Sequence, residues 1–108
     1  MRKVHKGEVW IYFDKDSQKR RPCVVVGNKL AAIDNDVVIS KLTTFPARNE
    51  FDVTLEKWQD HGLAKPSVVR CSKLFTLKGD ELLFKVAHIQ GDEFEKVKQT
   101  ISRYILED

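Results

Sequence analysis

The side chains in this sequence best suited to chemistry are cations and hydroxyls, and the first of them is Arg21. It closes the run Lys19-Arg20-Arg21 and precedes Pro22, which biases its backbone toward an extended conformation. A guanidinium presented from a rigid strand offers a planar fork that donates paired hydrogen bonds to phosphate oxygens. The plain alternative is a solvated charge in a basic run. Farther along, Arg70 and Ser72 stand two residues apart in a strand-like stretch, a spacing that aims both at one side of a strand. The loop residues Ser17, Gln18, Lys19 and Arg20 offer hydroxyl, amide and charged groups to an anionic partner. Thr43 and Thr44 follow another apolar run, where a threonine is ordinarily a turn former.

Histidine and cysteine add little. His88 falls in an apolar run and reads as a satisfied core residue, His5 is near the N-terminus, and His61 reads as exposed beside Gly62, a remote candidate base. Their spacing makes no zinc set, and no metal or cofactor is implied. Cys23 and Cys71 each sit inside apolar runs and read as small buried hydrophobes rather than a disulfide.

The elements that must position these groups are mostly strands. Glu8 to Phe13 is a continuous apolar and aromatic run, followed by the polar stretch Asp14 to Lys19. Pro22 opens the block Cys23 to Val26, closed by Gly27 and Asn28. A turn at Asp34-Asn35-Asp36 leads into Val37 to Leu42, and Thr43 to Glu50 reads as a loop broken by Pro46. Phe51 to Leu55 alternates as a half-buried strand does, a connection runs over 56–66, and Ser67 to Cys71 returns as a strand that Phe75 and Thr76 extend. Gly79 to Phe84 fits one or two helical turns before a short strand, Lys85 to Ile89. The last element is a helix with Asp92 as cap and Glu95 three residues on, its core stripe being Phe94, Val97, Ile101, Tyr104 and Ile105. Short, evenly spaced strands with one terminal helix predict a small antiparallel barrel, of SH3-like or OB-like type.

Composition sets the outer limits. A chain of 108 residues with 42% apolar content suits one domain over 1–108 with a small core. No stretch approaches the roughly 20 apolar residues that span a bilayer, and the basic N-terminus runs into strand-like sequence rather than a signal peptide. A cytoplasmic protein without membrane contact is expected. The net charge of +3 is mild but uneven, with seven Lys/Arg against three Asp/Glu in residues 1–22. That bias points to a local anionic partner.

The order of motifs resembles the MazF/PemK family of toxin endoribonucleases, most closely its PemK branch. Lys6-Gly7-Glu8-Val9-Trp10, a polar loop and Arg21-Pro22-Cys23-Val24-Val25-Val26-Gly27-Asn28 are similar to its opening strand, loop and Arg-Pro strand. Ile39-Ser40-Lys41-Leu42-Thr43-Thr44 looks like its strand ending in Thr, and Gly62-Leu63 with Ser67-Val68-Val69-Arg70-Cys71 looks like its Val-Val-Arg-Cys segment. The resemblance spans nearly the whole chain. It implies a mostly β, SH3-like antiparallel barrel of the CcdB/MazF/PemK type with a C-terminal helix. It further implies a homodimer, metal-free cleavage of single-stranded RNA at short sequences, and inhibition by a cognate antitoxin.

By the same resemblance Arg21, Thr43 and Arg70 are the catalytic candidates, while Ser17, Gln18, Lys19, Arg20, Thr44 and Ser72 are candidate RNA contacts. Two departures stand out. Ser72 occupies the place of the branch's aspartate, and an uncharged hydroxyl is a poor base unaided, so the base is left unassigned. The loop before Arg21 lacks the family's Glu, His and Gly. Two other readings compete with the toxin nuclease. One is a CcdB-like gyrase poison, disfavoured because the sequence closes on Ile105-Leu106-Glu107-Asp108 where those toxins have a Trp-Gly-Ile type end. The other is a non-catalytic SH3-like module that binds nucleic acid or protein, which the missing aspartate keeps open.

Overall fold

Gly7 opens the fold for a steric reason. Its φ of +88° is strained for other residues, and a Cβ here would lie 2.6 Å from the Ile89 carbonyl oxygen. The close approach lets Gly7 N donate to Val25 O and Gly7 O accept from Ile89 N, both at 2.8 Å. Beside it Glu8 is buried, and its Oε1 accepts from His5 N and Trp10 Nε1. The Gly-Glu pair of the opening motif therefore has a structural job.

The computed structural model describes residues 3–28 and 35–108. Six strands follow in order: β1 (Glu8–Asp14), β2 (Lys19–Val25), β3 (Asp36–Thr43), β4 (Asp52–Leu55), β5 (Ser67–Lys78) and β6 (Leu82–His88). A 3₁₀ turn, Gly79–Glu81, precedes β6, and helix α1 (Gly91–Leu106) ends the chain. The sheet is antiparallel in the order β4-β5-β3-β2-β1-β6, a barrel-like arrangement with β4 and β6 at its edges.

Both faces of the sheet are packed. On one side Val9, Val24, Leu42, Val53, Val69 and Cys71 meet Val97, Phe94 and Ile101 of α1. On the other, Trp10, Tyr12, Cys23, Val25, Ile39 and Leu82 form a second cluster with Phe75 against it. Strands buried on both faces read as continuous apolar runs, which explains Val9 to Tyr12 and Cys23 to Val26.

Several boundaries differ from expectation. β2 starts at Lys19, so Arg21 lies inside a strand and Pro22 is not its first residue. The β2–β3 pairing covers only Cys23 to Val25, and it stops beside Pro22, which has no N–H to donate. β5 runs unbroken for 12 residues because it pairs with β3 over most of its length. The helical turns expected over Gly79 to Phe84 shrink to three residues, since Leu82 already pairs with Tyr12. Helix α1 is capped by Gln90 without a side-chain bond, and Asp92 lies within its first turn. Its stripe leaves the core at the end: Tyr104 packs edge-on against Phe51 and Ile105 is 67% exposed. Of the expected turn at Asp34-Asn35-Asp36, Asp34 lies outside the described residues. Among the described residues no helix is long and apolar enough to cross a membrane.

Candidate functional site

Strand register brings the catalytic candidates to one face. β3 pairs Lys41 with Cys23 of β2 and with Arg70 of β5, and Arg70 pairs with Asp52 of β4. Residues directly opposite share a face, so Cys23, Lys41, Arg70 and Asp52 form one row across the sheet. Thr43 lies two residues beyond Lys41 on β3, and Arg21 two residues before Cys23 on β2, past the point where the β2–β3 pairing ends. By strand alternation Arg21 and Thr43 therefore lie on the same face as that row, opposite to the face that α1 covers.

The floor under these rows is aromatic. Tyr12 pairs with Arg21 across β1 and β2, and its ring meets Phe75 edge-on at 5.4 Å between centroids. Burial, with help from the nearby Asp14 charge, pushes the Tyr12 hydroxyl well above its ordinary pKa, so it stays protonated. Its oxygen is buried without a hydrogen-bond partner among the described residues.

The loop after β1 anchors Arg21. Asp14 Oδ2 accepts from Ser17 Oγ at 3.0 Å, and Arg21 Nε donates to Ser17 Oγ at 3.4 Å. Desolvation acts to raise the Asp14 pKa, but the bonds from Ser17 and from Asp16 N–H, with Lys41 and Arg21 nearby, hold it below the usual carboxylate value. The loop thus sets a fixed negative charge beside an exposed guanidinium.

The remaining candidates fare differently. Gln18 adopts φ +57° and donates its side-chain amide to Lys15 O at 2.7 Å, which makes it the turn residue of the loop. Lys19 alternates onto the Arg21 face and Arg20 onto the opposite one, so the basic run is split across the sheet. Thr43 Oγ1 accepts from Phe45 N at 3.2 Å, and Thr44 is exposed just past the strand. Ser72 sits where the β3–β5 register shifts between Ser40/Lys41, among three β5 residues with no partner on β3. The regular alternation expected to aim it with Arg70 is interrupted there.

Other residues enter that sequence patterns did not single out. Lys41 Nζ lies 4.0 Å from Asp14 Oδ2 and 5.4 Å from the centre of the Phe75 ring. Asp52 breaks the expected alternation of β4: it is buried, and its Oδ2 accepts from Arg48 N and Nε. Asp52 Oδ1 and Arg70 Nε are both buried without hydrogen-bond partners among the described residues, although the two residues pair across β4 and β5. No residue-type pattern marks Lys41 in the sequence; only the register does.

His61 is not the exposed residue expected. It is buried, accepts from Gln90 N at Nδ1, and meets Glu93 Oε1 through Nε2 at 2.8 Å. Since Gln90 donates to Nδ1, the proton sits on Nε2 and points at Glu93. This pair ties the 56–62 connection to α1 on the far side of the sheet. Cys23 and Cys71 are free and buried in different clusters, one on each face. Among the described residues no group of three or more His, Cys, Asp or Glu is arranged to hold a metal.

Comparison with known proteins gives a consistent result. Residues 6–105 match the family described as PemK-like, MazF-like toxin of type II toxin-antitoxin system. No curated protein sequence matches the chain. Among solved structures, an endoribonuclease in complex with its cognate antitoxin from a mycobacterial species superposes with a TM-score of 0.82 at 19% identity, over 98% of each chain. A second mycobacterial endoribonuclease gives 0.80 at 21% identity, covering 97% of this chain and 93% of that one. A MazE-MazF complex from Deinococcus radiodurans gives 0.72 at 19% identity over 97% of both chains. At such identities these likenesses establish the fold.

Proposed function

The chain belongs to the PemK-like, MazF-like toxin family of type II toxin-antitoxin systems, and from that premise we propose that it cuts single-stranded RNA without a metal ion. The 2′-hydroxyl would attack the adjacent phosphorus and release the 5′-oxygen. Such a reaction needs a proton removed, a proton supplied, and stabilisation of the charge that builds on phosphorus. The observation that carries the reading is that Arg21, Thr43 and Arg70, on three neighbouring strands, share one face of the sheet.

Arg21 serves as the phosphate-binding fork, oriented through Ser17 by Asp14. It is not the base, because an arginine stays protonated at any ordinary pH. Thr43 orients the phosphate or the 2′-hydroxyl from the end of β3, and Arg70 adds a second guanidinium. Lys19 and Thr44 flank this face and can follow the RNA backbone, whereas Arg20 points away from it.

The homodimer and the cognate antitoxin are part of the same proposal. An open groove of about 480 Å³, lined by Val26, Val38, Leu74, Ile101, Ile105 and Leu106, leaves apolar surface that a protein partner can cover. Light scattering at micromolar concentration should report twice the chain mass. The enzymatic reading is tested by incubating the protein with a long RNA in EDTA. Discrete fragments that disappear in Arg21→Ala support it, and intact RNA across several substrates refutes it.

A further inference from the structure

We propose that Lys41 is a third phosphate-binding cation of this site, seated between Arg21 and Arg70 and in contact with the RNA backbone. The inference rests on the RNA-cutting reading and adds to it a residue that the sequence motifs do not supply.

Placement is the first argument. Arg21 and Arg70 are separated by β3, so their strands lie about 10 Å apart at the usual inter-strand spacing. Lys41 fills that gap, directly opposite Arg70 and one diagonal step from Arg21. Directly opposed residues have Cβ atoms about 5 Å apart and diagonal ones about 7–8 Å, within reach of long side chains. One anionic group above β3 can therefore touch all three cations.

Energetics is the second. Like charges directly opposite on neighbouring strands destabilise a sheet, and Lys41 faces Arg70 in that way. Neither neighbour of Lys41 offsets this well. Asp14 is 4.0 Å away from an ammonium whose side chain is 38% exposed, and an ion pair of that kind contributes little. The Phe75 ring lies 5.4 Å off, a modest cation–π contact at a partly solvated site. Asp52, the carboxylate across from Arg70, is already bonded to Arg48. The face thus gathers four cations, Lys19, Arg21, Lys41 and Arg70, against two carboxylates. Asp14 is held at 4.0 Å from Lys41 and Asp52 is bonded through Oδ2 to Arg48, and a bound phosphate would offset the excess positive charge.

The contact with Phe75 also supplies a control. Lys41→Met keeps an unbranched stem over the ring and removes only the charge. The full chain and this variant are compared in cleavage of one RNA oligonucleotide and in binding of its all-2′-deoxy counterpart across a salt series. The variant is expected to cut about 100-fold more slowly, within the range for losing one group that holds transition-state charge. Its slope of log affinity against log salt should fall by about 0.7, the single-strand value for one phosphate contact. Melting temperature should stay within a few degrees, and Lys41→Arg should retain the wild-type slope.

Cleavage and slope equal to wild type in Lys41→Met would overturn the proposal and leave the nuclease reading intact. A wild-type chain that neither cuts nor binds would overturn both. A wild-type chain that binds with a Lys41-dependent slope but never cuts would keep the phosphate contact and remove the nuclease reading. If Lys41→Met fails to fold, Lys41→Gln carries the same expectations, and unfolding of both would make Lys41 a structural residue and sink the idea.

Discussion

The Ser40 hydroxyl donates to the Arg70 carbonyl oxygen at 2.6 Å, from a side chain with no exposed surface. It does so where the β3–β5 register shifts between Ser40/Lys41 and the ladder skips three residues of β5. A serine buried among apolar residues is thereby the clamp that fixes where Arg70 meets Lys41.

Ser40→Ala should remove the hydroxyl partner of that partly buried carbonyl. The expected cost is about 1–3 kcal/mol, the penalty for an unsatisfied buried group. Urea denaturation measures it directly. A loss below about 0.3 kcal/mol would mean that the bond is dispensable and that the shift is held by backbone alone.

Arg21 separates function from stability. Its side chain is exposed, so Arg21→Ala should change folding free energy by no more than about 0.5 kcal/mol. RNA cutting should drop by about 10²- to 10³-fold, as for loss of one charge-stabilising donor group. Arg21→Lys should recover little, because an ammonium lacks the planar fork. Full activity in the lysine variant would show that charge alone suffices there.

The thiols give a test of burial. Desolvation pushes both Cys23 and Cys71 up to about 12, and the thiolate is the reactive form. The folded protein at pH 8 should react slowly with a thiol reagent, and both thiols should appear promptly in denaturant. Since they lie in clusters on opposite faces, mild oxidation should not join them within one chain. Rapid labelling of either in the folded state would contradict the packing.

Glu93 predicts a pH dependence of known sign. Desolvation acts to raise its pKa, but bonds from His61 and from Lys57 and Glu56 N–H outweigh it and lower the value from 4.5. A carboxylate lowered on folding contributes stability above its unfolded pKa, and that contribution is lost as pH falls through the folded value. Glu93→Gln should therefore cost about 1–3 kcal/mol near pH 7 and progressively less below about pH 4. An equal cost at pH 7 and pH 3 would place its effect elsewhere.

Sequence patterns went far with the fold because strands buried on both faces advertise themselves. Val9 to Tyr12, Cys23 to Val26 and Val37 to Leu42 were legible as strands, and the α1 stripe was legible through Ile101. What stayed hidden depends on partners distant in sequence. Pro22 looked like a strand start because its effect on pairing with β3 cannot be seen locally. His61 looked exposed because Glu93 and Gln90, which enclose it, are about 30 residues away. Asp52 looked like the solvent side of an alternating strand, yet Arg48 covers it. In the site, Arg21, Thr43 and Arg70 came from family motifs, while Lys41 and Asp14 emerged only once register put them there. Ser72 supplies no carboxylate, and the two that register brings to this face, Asp14 and Asp52, are bonded to Ser17 and to Arg48.

The central claim is that the cations on this face assist attack by the RNA's own 2′-hydroxyl. The most direct measurement takes an RNA oligonucleotide that the protein cuts and replaces one sugar, the one 5′ to the cut phosphate, with 2′-deoxyribose. In EDTA the unmodified strand should be cut to a 2′,3′-cyclic phosphate and a 5′-hydroxyl, and the substituted strand should survive at that position. Cutting of the substituted strand at the same phosphate, or 5′-phosphate ends from the unmodified one, would contradict it.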